Sequence, residues 1–170
     1  MTSSSAVSNL CALAIVVPPQ FRSPIQALRE AHDKNAQRWP PHINIAFPFL
    51  APHAVSAALP LLRERLSSVQ SFDLCLQRAA WLAVPGKKKA ASRVWHYLEP
   101  DEHAEECIRE LTQAVYSTAG LDLGEPRELP AHLSIAQSQK KDATKFCRML
   151  NMAYAKGCLL YTSPSPRDRG

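Results

Sequence analysis

The sequence predicts a single α+β domain in which strands and helices alternate along most of the chain. Apolar residues recur with period two in several short segments, and amphipathic segments of helical length lie between them. Hydrophobic residues make up 46% of the 170-residue chain, which is ordinary for a globular protein. A chain of this length forms one domain, or two small lobes that share one core.

The predicted elements follow the order strand, helix, strand, helix, three strands, helix, strand and helix. After a Ser-rich leader at residues 1–9, they are a buried strand 10–17, a helix from Ser23-Pro24, a strand 42–47, a helix from Pro52, strands 72–77, 79–84 and 94–98, a helix capped by Asp101, a strand 132–136 and a helix after Asp142. Ser and Asp are helix-capping residue types, and Pro suits a first helical turn. Pro60 predicts a kink in the second helix, or a helix that begins there.

Composition limits the class of protein. The net charge of +5 favours an anionic partner, and the one dense basic run, Lys87, Lys88 and Lys89, is either a solvated loop or a substrate contact. The five cysteines lack metal-binding or disulfide-framework spacing, so we expect a reducing intracellular compartment, cytoplasm or nucleus. The apolar run 10–17 is too short to span a membrane, and no basic residue precedes it, so we expect neither a signal peptide nor a membrane partner.

Two short stretches share the same pattern of residue types: a histidine, an apolar residue, a small polar residue and a second apolar residue. The first is Pro41-His42-Ile43-Asn44-Ile45, and the second is Ala131-His132-Leu133-Ser134-Ile135. Because side chains alternate across a strand, each stretch buries two apolar residues and holds a histidine and a hydrogen-bonding group on the opposite face. If the two strands lie side by side, both histidines meet at one site.

Paired imidazoles suit the opening of a phosphodiester. One imidazole can take a proton from the attacking water while the other supplies a proton to the leaving oxygen, because imidazole titrates near working pH. Asn44 and Ser134 would then hold the non-bridging oxygens. We find no carboxylate cluster with metal-ligand spacing, so we predict no metal and no cofactor.

With these motifs, the chain resembles the two-histidine (2H) phosphoesterases, the group that includes bacterial 2′-5′ RNA ligases and cyclic phosphodiesterases. The signature of this group is a pair of His-x-Thr/Ser strands, found here as His42-Ile-Asn44 and His132-Leu-Ser134 within residues 10–156. The resemblance implies a bilobal α+β fold, in which two antiparallel sheets flank a central cleft, each gives one histidine, and helices lie outside. It also implies metal-independent chemistry on RNA ends or small cyclic nucleotides, and we expect a monomer.

Further residues are weaker candidates for substrate contact. Asn44 stands where Thr or Ser is commoner, and Gln137 stands where some relatives carry a basic residue. Trp39 and Phe47 either pack or stack on bases, and His96 lines the cleft or is simply packed. These departures leave an alternative open, a module that binds RNA ends without turnover.

The last fourteen residues, 157–170, lack periodicity and resemble translated adapter sequence. We predict that they form a non-native tail that packs little, and that the C-terminal end of the domain is missing. A third reading is therefore a fragment with an incomplete sheet, an exposed sheet edge and no function.

Overall fold

A computed structural model describes residues 7–83, 93–126, 129–154 and 159–162. These residues form four α-helices and eight strands in two antiparallel sheets, so the predicted α+β class is confirmed. In chain order, the elements are β1 (Val7–Ser8), β2 (Leu13–Val16), α1 (Pro19–His32), β3 (His42–Ala46), β4 (Phe49–Leu50), α2 (Pro52–Leu66), β5 (Asp73–Ala83), β6 (Arg93–Pro100), α3 (Glu102–Tyr116), β7 (Leu133–Gln139), α4 (Ala143–Tyr154) and β8 (Leu159–Thr162).

The larger sheet has the strand order β2-β3-β7-β6-β5-β8. The two histidine strands, β3 and β7, are neighbours in it and pair at one position, Ile43 opposite Leu133. By contrast, β7 pairs with β6 continuously, apart from a bulge between His96 and Tyr97. The resemblance implied one histidine from each of two facing sheets. Instead, both histidine strands lie in one sheet, which consists of two halves, β2-β3 and β7-β6-β5-β8, that meet at a one-pair seam.

The buried face of the sheet holds the histidine strands in place. Ile43 and Leu133, the residues of the seam, are 1% and 0% exposed. They belong to one hydrophobic cluster with Ile135 of β7, Ile108 of α3 and Leu150 of α4. Because adjacent strand residues point to opposite faces, this burial directs the polar residues of both motifs to the other face.

The N-terminal elements differ from the prediction. Val7 and Ser8, expected in a loose leader, form β1 and pair with Leu50 and Phe49. Strand β2 is shorter than residues 10–17 and only partly buried, because it lies at an edge of the sheet. Helix α1 begins at Pro19 instead of Ser23 and contains Pro24. Pro19 suits the first helical turn, where its missing N–H has no helical partner to lose.

Two predicted boundaries between elements are absent from the described residues. Residues 72–77 and 79–84 were predicted as separate strands, but β5 continues through both segments with a register shift between Leu76 and Arg78. The side chain of Asn151 on α4 supports this irregular stretch, since it accepts from the Ala79 amide at 2.7 Å and donates to the Ala79 carbonyl at 2.9 Å. Helix α2 runs from Pro52 to Leu66, so it does not begin at Pro60, and the kink stays a prediction.

Two findings concern the predicted tail at residues 157–170. Residues 159–162, within the predicted tail, form β8 and pair with β5, so β8 and not β5 is the outer strand on this side of the larger sheet. The remainder of the tail, residues 157–158 and 163–170, lies outside the described residues, and the non-native origin of the tail stays a prediction. Cys75, which pairs with Leu160 across these strands, is disulfide-bonded, whereas Cys11, Cys107 and Cys147 are free thiols. This single bond was not predicted, because the spacing of cysteines along the chain does not report which of them meet in the fold.

Candidate active site

Both motif histidines are half-buried and are held in the same way. The Nδ1 of His42 lies 2.7 Å from the carbonyl oxygen of Pro40, and the Nδ1 of His132 lies 2.8 Å from that of Pro130. A carbonyl can only accept, so each Nδ1 must carry the proton and donate it. Each neutral ring then keeps its Nε2 lone pair available, and each protonated ring offers an Nε2–H. The proline two residues before each histidine thus fixes the tautomer.

The hydrogen-bonding partners of the motif lie beside the histidines. Asn44 and Ser134 are both exposed. Since β3 and β7 are antiparallel about the pair Ile43 and Leu133, Asn44 lies next to the His132 position and Ser134 next to His42. The seam therefore brings one histidine and one hydrogen-bonding group from each strand together, as the sequence predicts.

A cavity of about 760 Å³ opens beside Asn44 and His132, whereas His42 and Ser134 are not among the residues that line it. It is lined by Asn44, His132 and Phe47, and by one side of α3 that includes Glu102 and Tyr116. Phe47, a weaker sequence candidate, is half-buried here. Because Asn44 and His132 come from different strands, this cavity is shared by both halves of the sheet.

Two aromatic side chains flank the histidine pair. Trp39 lies with its ring centroid 6.4 Å from that of His42, and Tyr97 makes an edge contact with His132 at 5.4 Å. Tyr97 is opposite Ser134 in the sheet and is 7% exposed. Burial, with the nearby Glu99 charge, raises the pKa of its phenol. Tyr97 was missed from sequence. Its signal was alternation along β6, which places Tyr97 on the face opposite His96.

The structure does not bring all the weaker candidates to the site. His96 is fully buried against Phe146 of α4, on the covered face of the sheet. Burial, and secondarily the charge of His32, lowers its pKa to about 4. The Gln137 amide donates to Asp33 at 3.3 Å, which ties β7 to the end of α1. The lysine run 87–89 lies outside the described residues.

Neither a metal cluster nor a membrane span is found in the part of the chain that the structure describes. No three His, Cys, Asp or Glu side chains there are grouped to hold a metal ion. No described helix combines the length and apolar character needed to cross a membrane. Metal independence itself stays a prediction.

A mixed α/β fold that presents a matched pair of histidine strands defines the class of two-histidine phosphoesterases. Residues 17–159 match the model of the 2′-5′ RNA ligase superfamily, and the chain belongs to this family. The recognition made from the two motifs is confirmed.

Solved structures give a distant likeness. The chain is similar to Usb1 of Kluyveromyces marxianus with uridine monophosphate, at a TM-score of 0.53 and 12% identity, over 89% of this chain and 88% of that one. A second structure of Kluyveromyces marxianus Usb1 matches with a TM-score of 0.46 and 11% identity, over 83% and 76% of the two chains. At such identities the first likeness shows the fold alone. No curated protein matches the chain.

Proposed function

We propose that this protein is a phosphodiesterase that acts on 2′,3′-cyclic phosphate or 2′-5′-linked RNA ends, or on small cyclic nucleotides, without a metal ion. The observation that carries the proposal is the matched pair of hydrogen bonds from His42 Nδ1 and His132 Nδ1 to proline carbonyls at 2.7 and 2.8 Å. Two imidazoles in the same tautomer can exchange the roles of proton acceptor and proton donor. Membership of the 2′-5′ RNA ligase superfamily supports a phosphodiesterase or ligase-like role.

In the proposed hydrolysis, water attacks phosphorus in line with the bond that breaks. The neutral imidazole accepts a proton from the water at Nε2 as the new P–O bond forms. The protonated imidazole gives its Nε2 proton to the departing ribose oxygen as the old P–O bond breaks. No proton or electron is left over, and the histidine pair ends with its charges exchanged. Attack by a ribose hydroxyl in place of water on the cyclic phosphate would give ligation by the same two proton transfers, and its reverse would be cleavage of the 2′-5′ linkage.

Asn44 and Ser134 supply the electrostatic part of the proposal. The amide of Asn44 and the hydroxyl of Ser134 can both donate to non-bridging phosphate oxygens. Their exposure leaves both groups accessible to a ligand. Donors aimed at oxygens that gain charge in the transition state stabilise it more than the ground state. The Kluyveromyces marxianus Usb1 structure with uridine monophosphate supports a nucleotide ligand at this fold.

The alternative is a module that binds RNA ends without turnover. The engagement of Gln137 favours it, since this amide donates to Asp33 and adds nothing to the phosphate contacts. The two functions share the ligand and differ in whether the histidines transfer protons.

Turnover of a nucleoside 2′,3′-cyclic phosphate by His42→Ala and His132→Ala separates the two. General acid–base catalysis contributes about 10²–10⁴-fold per group, so each variant should lose turnover in that range and lose binding much less. Rate against pH should be bell-shaped for the wild type. Loss of the acidic limb in one variant identifies the base, and loss of the alkaline limb in the other identifies the acid. A nuclease-free variant that keeps near wild-type turnover would refute the enzymatic proposal and leave the binding module.

A further inference from the structure

A second, smaller concavity lies beside His42. It has a volume of about 280 Å³ and is formed between α1 and the segment that leads into β3. We call it the Trp39 surface, defined by Arg22, Gln26, Gln37, Arg38 and Trp39. Trp39 is 41% exposed, although tryptophan is usually well covered in proteins. The sequence left open whether this ring packs or stacks on a base.

Two hydrogen bonds and two prolines hold the backbone that carries the Trp39 ring. Its carbonyl accepts a hydrogen bond of 2.8 Å from Nη1 of Arg29, a residue that is only 3% exposed. The amide of Arg38 donates to the Asn35 carbonyl at 2.9 Å, and Pro40 and Pro41 follow directly. A stacking platform fixed in advance loses little conformational entropy when a ligand binds.

The charge of this surface suits an anion. The guanidinium carbon of Arg38 lies 5.7 Å from the centroid of the Trp39 ring. Neither Arg22 nor Arg38 takes part in an ion pair among the described residues. Glu30, an acidic neighbour, already accepts from the amides of Gln26 and Gln37 at 3.0 and 3.2 Å. An exposed aromatic ring beside cationic side chains is the arrangement that binds single-stranded nucleic acid.

We propose that the Trp39 surface binds the nucleotide next to the one that carries the reacting phosphate of an RNA substrate, with the base of this neighbouring nucleotide on the Trp39 ring and its phosphate near Arg38. The ring lies 6.4 Å from that of His42, so a strand whose phosphodiester reaches the histidine pair also reaches Trp39. This inference rests on the proposed function, because it takes the histidine pair as the position of the reacting phosphate. It makes the preferred substrate an oligonucleotide and not a cyclic mononucleotide.

The test compares two substrates that differ only in the adjoining nucleotides. One is a short single-stranded RNA ending in a 2′,3′-cyclic phosphate, and the other is the corresponding nucleoside 2′,3′-cyclic phosphate. Trp39→Ala should lower kcat/KM for the RNA about 5- to 150-fold more than for the mononucleotide, the range that loss of one base–aromatic stack gives. Trp39→Phe, which keeps a ring, should retain most of the preference. Arg38→Gln should reduce the slope of log affinity for the RNA against log salt by about 0.7.

Trp81 of β5 provides the matched control. It is a similarly exposed tryptophan, at 36%, but lies three strands away from β3 in the sheet order. Trp81→Ala should leave both rates unchanged. If Trp39→Ala lowers kcat/KM equally on the two substrates, Trp39 acts only through His42 and the proposed surface is overturned. If kcat/KM falls on neither substrate, the proposed surface is also overturned.

Binding separates failure of this inference from failure of the proposed function. If the wild type turns over neither substrate, the affinities of the RNA carrying a terminal 3′-phosphate and of the nucleoside 3′-monophosphate are measured by titration. A selective loss of RNA affinity in Trp39→Ala would then support the surface while the enzymatic proposal alone fails. Equal affinities in wild type and variant would overturn the surface as well.

Discussion

Replacing His96 by a side chain that cannot ionise should flatten the dependence of stability on pH. His96 is fully buried, and its Nε2 lies 2.9 Å from the Ser138 hydroxyl. Its Nδ1 has no hydrogen-bond partner among the described residues, and its ring packs 4.7 Å from that of Phe146. His32 packs against the same phenylalanine at 4.9 Å, so protonation of His96 adds charge where both water and counter-charges are scarce.

The magnitude follows from the fall of the pKa of His96 from 6.5 to about 4. The unfolded chain takes up a proton here below pH 6.5, whereas the folded chain does not until about pH 4. Stability from His96 is therefore complete above pH 6.5 and is lost as the pH falls towards 4. A pKa difference of one corresponds to about 1.4 kcal/mol, so the full loss is roughly 3 kcal/mol. At pH 5 it should be about 2 kcal/mol.

Urea unfolding at pH 7.5 and pH 5 measures this loss. The free energy of unfolding of the wild type should fall by about 2 kcal/mol more over this interval than that of His96→Leu. His96→Phe, a second neutral replacement of different shape, should show the same flattening whatever its absolute stability. Contributions of titrating groups that do not interact with His96 cancel in the comparison. If wild type and both variants lose the same free energy, the argument from burial is refuted.

Three further predictions concern the site and the fold. Asn44→Ala and Ser134→Ala should weaken binding of a cyclic nucleotide and lower kcat, by about 10²–10³-fold where the donor serves the transition state; a kcat equal to wild type in both would contradict the donor role. Turnover should survive EDTA, and a loss that a divalent ion restores would show that metal independence is wrong. Asp101→Ala should reduce the free energy of unfolding in urea by about 0.5–2 kcal/mol, because the Asp101 carboxylate accepts a hydrogen bond from the Ala104 amide at 2.7 Å. The control is Asp122→Ala, which replaces an exposed loop residue and should leave the free energy of unfolding unchanged.

The sequence was most informative where one local rule decides the outcome. Alternation in the two motifs predicted that Ile43 and Leu133 are buried while His42 and His132 share the opposite face, and the structure agrees. The helix cap at Asp101 was likewise readable, since it depends on a side chain and a backbone amide three residues later. Such features need no knowledge of which distant strands become neighbours.

Features that depend on contacts between residues far apart in the chain could not be predicted from the sequence. Arg29 is a charged residue in an ordinary helical pattern, and only the approach of Asp33 and the Trp39 carbonyl makes it a buried anchor. Alternation along β6 places Tyr97 on the face opposite His96, but the contact of Tyr97 with His132 also depends on the bulge that shifts β6 against β7. Pro24 was assigned to a helix start because proline is rare in helix interiors, yet the packing of α1 on β7 outweighs that local cost.

Because the two halves of the sheet pair at one position, the tautomer of each histidine and the distance between the two rings are set by different contacts. His42 and the Pro40 carbonyl belong to the β2-β3 half, and His132 and the Pro130 carbonyl belong to the other. A small rotation of one half against the other, about Ile43 and Leu133, would change the distance between the imidazoles and leave both Nδ1 hydrogen bonds intact. The tautomer of each ring is thus set within its own half of the sheet, whereas the distance between the two rings depends on how the halves meet at Ile43 and Leu133.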